Sequence, residues 1–532
     1  MGQELHLEIE APGDSQPRGD GATSVAASPR SGVRAWAGRA ALIMLPALAL
    51  VVAGCWWALV QWYSVFEHTK APHYALQSLE GQFDNPVLRQ TLGIFIALSA
   101  VYAIVLVALG RTGKPARTAL VAVLVIAMAM GIGSVLLYPV GALDVFNYMV
   151  ELKLTWHHGE NPYMTTYAAY REDVYGLHAF LVDVRLFYGP AWVVSSWLPV
   201  AITGFTDLVH TLLGIKIFHL ALAALVSGLI GWHLRGSRHQ WLAVAAFVAN
   251  PLVMFEGVAN AHNDILLTVF LVGAVIALER RSPLAGPLLA LSALVKVYSG
   301  VLLPLFIVVA LRDRWGWKRI GATVGLTAVV VAMVCAPFWA DGKLVGGLLD
   351  GLEESQGMDH VSPFSLAQQW EQQQIANDDW RPEFIMSRPA HEILPEETQE
   401  MLRNRFTAVM VIGTLGLAIS AWRGRASATV AAETLLVMFL TSTNLYPWYL
   451  IPVVALFALR PDRVSMWYVA GATALGLAYY PMFVYAHFNT GWSRFEVHQF
   501  LAIFLTVPIL LYLVARPLAG AGAVLARRRT SV

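Results

Sequence analysis

The chain has 532 residues, of which 57% are hydrophobic and only 13% charged, with a mean hydropathy of +0.57 and a formal net charge of +1. These values exclude an ordinary soluble protein, and the near-zero charge gives no sign of a nucleic-acid partner. The two cysteines, Cys55 and Cys335, both fall inside apolar runs and read as packing residues rather than a disulfide or a metal pair.

Residues 1–39 are polar, rich in Gly, Ser, Pro and Arg, and lack apolar periodicity, so a disordered cytoplasmic tail is expected there. Apolar runs then recur almost to the end. The first spans are expected at Ala41–Phe66, Thr91–Gly110 and Thr118–Val140. The short loops at 111–117, 235–239, 279–282, 312–319, 423–425 and 460–463, and the terminal Arg527–Arg529, are all basic. Placing them together in the cytoplasm makes every alternate loop external, including 141–190 and 341–405. The expectation is an all-α polytopic membrane protein of about 12 spans, with 11–14 allowed. Both termini are then cytoplasmic, the transmembrane domain covers 40–517, and 518–532 forms a second tail.

Pro283–Leu311 departs from simple alternation, because two full spans do not fit between the basic residues on either side. Two half-helices meeting near Lys296 fit instead. A dozen residues at about 1.5 Å each would carry Lys296 roughly 18 Å inward. Such broken helices are tolerated where they line a cavity or are covered by protein. The long 341–405 loop contains SPFSLAQQW and Trp380, and is expected to carry short helices over a site.

The organising stretch is Gly141–Tyr163, GALDVFNYMVELKLTWHHGENPY. At helical spacing Asp144, Tyr148 and Glu151 share one face, with apolar residues between them. An amphipathic helix on the membrane surface is expected, holding a carboxylate at the mouth of a cavity. Other polar residues fall at the same external ends of different spans. They are Asn161 and Tyr163, Tyr188-Gly189-Pro190, Asn250 with Glu256, Asn260 to Asp264, Lys296, Asn444 to Tyr449, and His487, Arg494, Glu496 and His498. Ionisable groups at membrane depth are costly unless they face a cavity, so a functional use is the default reading. Plainer readings stand beside it. Asp264 has the position of a helix cap, the His157–His158 pair that of an exposed loop, Glu433 that of a buried pairing partner, and Lys216 that of a snorkelling surface residue.

The motifs LDVFNY with ENPY, YGPAW, NPLVMFEGVANAHNDILL, ALVKVYSGVLLPLF and NLYPWYLIP occur in this order over Thr118–Leu459. In that order they resemble the polyprenyl-phosphate-mannose-dependent mannosyltransferases of the GT-C glycosyltransferase superfamily. The resemblance implies a GT-C-like fold and transfer of a hexose, in the first place mannose, from a polyprenyl-phosphate-linked sugar to a glycolipid, glycan or protein acceptor outside the cytoplasm. It further implies that Asp144 is the general base, and that Lys296, Arg494 and His262 face the donor phosphate. Sugar or acceptor contacts fall to Tyr148, Glu151, Asn161, Tyr163, Asn260, Asn263, Asp264, Tyr446, Trp448 and His487. Asp144 has no second acid beside it, so no metal and no cofactor are expected, and a one-base site favours inversion. The competing class is a transporter or lipid-linked sugar flippase, which also uses broken helices and buried charges. That class places its ionisable groups near the midplane and often shows inverted repeats. Here the polar residues sit at span ends and no repeat is found.

Overall fold

The computed structural model describes residues 29–70, 86–111, 117–354, 361–378, 388, 390–489, 492 and 494–530. Every extended element among them is a helix, apart from an isolated bridge between Ser64 and Leu137. The architecture is the expected all-α polytopic one. Helices α1 (Pro29–Trp62), α2 (Pro86–Arg111) and α3 (Arg117–Leu136) pack as a group. Helix α1 begins at Pro29, inside the stretch expected to be an irregular tail, while 1–28 lie outside the described residues.

Eight helices among the described residues are long and apolar enough to cross a membrane, or nine if the pair Gln240–Val248 and Pro251–Ala259, bent by 42°, makes one span. Five further apolar helices have 10–17 residues. The expected dozen full spans therefore become fewer long spans and a set of short or broken ones. The reason is that short apolar helices bury themselves against neighbours: of the ten residues in Leu450–Leu459, all are buried.

The break expected near Lys296 is present. The helix Ala285–Val295 ends there, Lys296 is extended at φ −141° and ψ 126°, and a 3₁₀ turn (Val297–Leu302) leads into the helix Leu303–Arg312. The long loop does carry helices, at Leu344–Glu354 and Pro363–Asp378, and the helix Glu396–Trp422 begins within its last ten residues. Trp380 lies outside the described residues.

Helix α4 (Asp144–Trp156) forms where the periodicity places it, yet it is not a surface helix. Val145 to Val150 are all buried, Asn147 included, because 157–189 folds over it. The Asn147 carboxamide oxygen accepts from the backbone N–H groups of Phe180 and Leu181 at 3.0 and 3.1 Å, which fastens that cover down. The helix is clamped under a loop, so its polar residues face protein rather than lipid headgroups.

Candidate functional site

Asp144 is the first residue of α4, where the unsatisfied N–H groups and the helix dipole favour an anion. Burial nevertheless pushes its carboxyl up to about 6, with the Lys296 ammonium the strongest influence acting the other way. Glu151, two turns along, is driven well above the ordinary carboxyl range by burial and then by the Asp144 charge. Burial thus raises both acids on this helix face, and for Glu151 the Asp144 charge adds to the effect. Between them the Tyr148 ring packs edge-on against Tyr188 and Trp192, with centroids 5.2 and 5.0 Å apart.

Tyr188 is held by the chain around it. Its carbonyl accepts the Tyr163 hydroxyl at 2.9 Å, and the next N–H, of Gly189, donates to the Val295 carbonyl at 3.1 Å. A Cβ on Gly189 would lie 2.0 Å from the Leu294 carbonyl oxygen, so only glycine allows this approach. Pro190 then opens the short helix α5 (Pro190–Ser195). The YGP motif thus locks the Tyr188 segment against the end of the helix Ala285–Val295, one residue before Lys296.

The Lys296 ammonium donates to Asp264 Oδ2 at 2.6 Å, and the Tyr298 hydroxyl donates to Oδ1 at 2.7 Å. It also lies 5.2 and 5.4 Å from the ring centres of Tyr188 and Tyr449. Asp264 is fully buried and does not cap its helix: the N-cap of Asp264–Glu279 is Asn263, which makes no capping bond. Asp264 instead anchors the lysine at the break, and the cap reading is replaced by a buried ion pair.

The stretch from Asn250 to Asp264 is bent to supply that carboxylate. Asn250 caps the turn Pro251–Met254, a π turn follows at Phe255–Ala259, and Ala261 adopts a left-handed φ of 54°. A non-glycine residue there costs about 1–3 kcal/mol of strain, and such strain clusters at working sites. The result is four polar residues buried together within five positions, Asn260, His262, Asn263 and Asp264, around Ala261. Asn260 donates to Glu256 Oε2 at 2.9 Å and accepts from the Gly141 N–H at 3.4 Å, tying this loop to the turn before Asp144. His262 lies 3.3 Å from Glu256 and stacks on Trp448, which also stacks on the Tyr446 ring, at centroid distances of 4.0 and 4.5 Å. Both stacks are near-parallel, so Trp448 acts as a spacer that holds His262.

Several buried polar atoms here have no hydrogen-bond partner: the Tyr148 hydroxyl, Glu151 Oε2, Glu256 Oε1, the His262 ring nitrogens and both ends of the Asn263 amide. Leaving such groups unmade costs about 1–3 kcal/mol each, so these are the atoms available to a polar ligand.

Other expected site residues make structural contacts. Asn161 donates to the Phe338 carbonyl at 3.2 Å and accepts from the Tyr163 N–H at 3.1 Å, while the Tyr163 ring is buried edge-on against Phe338. They brace the loop above α4. The side chains of Arg494, His487 and His498 lie outside the described residues. Lys216 does not snorkel. It is fully buried and donates to the carbonyls of Leu137 and Ser134, holding the end of α3 just before Asp144. One turn on, His219 is buried edge-on to Trp192 with Nε2 unpartnered. Its signal was a Lys and a His three apart in an apolar run, on one face of a span. His158 stacks on Tyr170 at 3.8 Å. Among the described residues no group of three or more His, Cys, Asp or Glu is arranged to hold a metal.

The sequence profile described as alpha-(1->6)-mannopyranosyltransferase, N-terminal domain, matches residues 19–312, and that of glycosyltransferase family 87 matches 196–443. No curated protein matches the chain. The two matched stretches contain Asp144, the Asn250–Asp264 loop and the Lys296 break, and they agree with the all-α GT-C class expected from the motifs.

Proposed function

The chain belongs to the alpha-(1->6)-mannopyranosyltransferase family, and from that premise we propose that it moves a mannosyl group from polyprenyl phosphate to an acceptor hydroxyl, with inversion and Asp144 as base. Membrane glycosyl transfer is the activity that both matched families share. The carrier, the base and the face are our reading.

One observation carries it. Asp144, the Lys296–Asp264 pair and the side chains of Tyr148, His262 and Asn263, with polar atoms that make no hydrogen bond, come from separate parts of the chain and are buried together at one end of the helices. An anionic base beside a cation is what transfer from a sugar phosphate requires. The Asp144 carboxylate accepts the proton of the acceptor hydroxyl as that oxygen attacks the anomeric carbon. The bond from that carbon to the phosphate oxygen breaks, and polyprenyl phosphate leaves with the electron pair. An ammonium has three donors; Asp264 takes one from Lys296, and the others serve the departing phosphate. Glu151, on the same helix face, offers its carboxyl group to a sugar hydroxyl. A single displacement that ends in an α linkage needs a β-linked donor.

The charge pattern supports the external face. Arg312, Arg425 and Arg460 lie at the opposite ends of their helices from Lys296, Tyr446 and Trp448, and by the positive-inside rule a basic end favours the cytoplasm. The test is transfer of labelled mannose from polyprenyl phosphate by the purified chain in nanodiscs, with β- and α-linked donors compared. Transfer from the β-linked donor alone is expected; use of a nucleotide sugar instead would overturn the carrier.

A further inference from the structure

The end of the molecule opposite Asp144 holds a second polar cavity that the transfer reaction does not use. Helix Ser427–Thr441, whose 15 residues span roughly 22 Å, separates the two ends. The cavity has a volume of about 650 Å³, within the range of small-molecule sites. Three arginines line it, Arg425, Arg463 and Arg516, with two acids, Glu433 and Asp462.

The acids are already engaged. Glu433, buried in its helix, accepts from Arg425 at 2.7 Å and from the Tyr512 hydroxyl at 3.2 Å, with Arg516 Nε 3.7 Å away. Asp462 accepts from Arg516 at 2.5 Å and from the N–H groups of Val464 and Ser465. They fix two guanidiniums in place and leave the third without a partner: Arg463 is exposed on the cavity wall and forms no ion pair or hydrogen bond with a described side chain. Each guanidinium has five N–H donors, so most of the fifteen point to no acceptor, and the cavity carries an excess positive charge. The remaining wall is apolar: Leu417, Val464, Leu513 and Pro517, from three spans that end here. Cations beside apolar span ends match the two halves of a phospholipid.

We propose that this cavity binds the phosphate headgroup of an anionic phospholipid in the leaflet opposite the transfer site. The acids order the arginines, Arg463 closes on the phosphate, and the acyl chains run along the ends of the three spans.

The full chain, delipidated in detergent, would be titrated with phosphatidylglycerol, with phosphatidylcholine and with inorganic phosphate, following bound adducts by native mass spectrometry. Wild type should hold one phosphatidylglycerol at least tenfold more tightly than phosphatidylcholine. Arg463→Gln should weaken it by about tenfold, the worth of one charge-assisted contact, and Arg463→Glu should abolish it. Arg463 is exposed and unpaired, so neither variant disturbs folding or sugar transfer. Equal binding of the two lipids, or no effect of either variant, overturns the site. If inorganic phosphate occupies it at the same concentration and with the same dependence on Arg463, the ligand is free phosphate and the lipid assignment fails.

Discussion

Replacing Asp264 with asparagine keeps the shape of the Lys296 anchor and removes its charge. The carboxylate is fully buried and the lysine 9% exposed, so little water reaches either partner. Breaking a buried pair costs about 3–5 kcal/mol, because the surviving charge stays desolvated. Here the ammonium keeps the Tyr188 and Tyr449 rings at 5.2 and 5.4 Å, and the Asp144 charge also acts on it. Cation–π contacts return about 1–2 kcal/mol, which leaves a loss of about 1–4 kcal/mol for Asp264→Asn. Lys296→Met should cost a similar amount, since it strands Asp264 with only the Tyr298 hydroxyl. The double variant strands neither charge and should be more stable than either single one, with a coupling of about 2 kcal/mol. Unfolding of all four proteins in one detergent measures this cycle. Asp264→Asn as stable as wild type, or a double variant that simply sums the two losses, would refute the argument. The double variant also separates stability from function: it should fold well and still bind donor poorly.

Three further outcomes are expected. A base must be a carboxylate to work, so transfer by wild type should fall as pH drops through about 6, where Asp144 takes up its proton. Because the Lys296 charge holds that value down, Lys296→Met should move the acid limb of the pH–rate profile to higher pH; an unmoved limb would detach the two residues. Gly189→Ala places a methyl 2.0 Å from a backbone oxygen that has no side-chain freedom to yield, so the Lys296 turn must shift. Donor affinity should fall at least tenfold in a binding assay, and wild-type affinity would remove YGP from the positioning role.

How much of this could be read from the chain varies with the physics involved. The broken helix at Lys296 was legible because the apolar run is too short for two spans and the basic flanks fix both ends on one side. The face carrying Asp144, Tyr148 and Glu151 was legible from helical spacing alone. Its burial was not, because the cover comes from 157–189 and is fastened by Asn147, whose acceptor role has no local signature. The Lys296–Asp264 pair joins residues 32 apart through two irregular breaks, and no periodicity links them. Locally, Asp264 looks like a cap, and only tertiary contact reassigns it. Asn161 and Tyr163 lie in a turn whose chemistry the sequence shows, but the bond from Asn161 to the distant Phe338 carbonyl is tertiary and has no local signature. The span count shifted for a related reason: hydropathy reports burial in protein and in lipid alike, and helices such as Leu450–Leu459 are buried in protein.

The most direct test of the account compares wild type with Asp144→Asn, which preserves size and removes the base. Purified protein would receive labelled polyprenyl-phosphate mannose and a membrane lipid extract, with donor binding measured on the same samples. The account predicts that the variant folds, binds donor within about threefold of wild type, and transfers at least a hundredfold more slowly, the usual contribution of a positioned base. Transfer at the wild-type rate would contradict it, and the base would have to be another group.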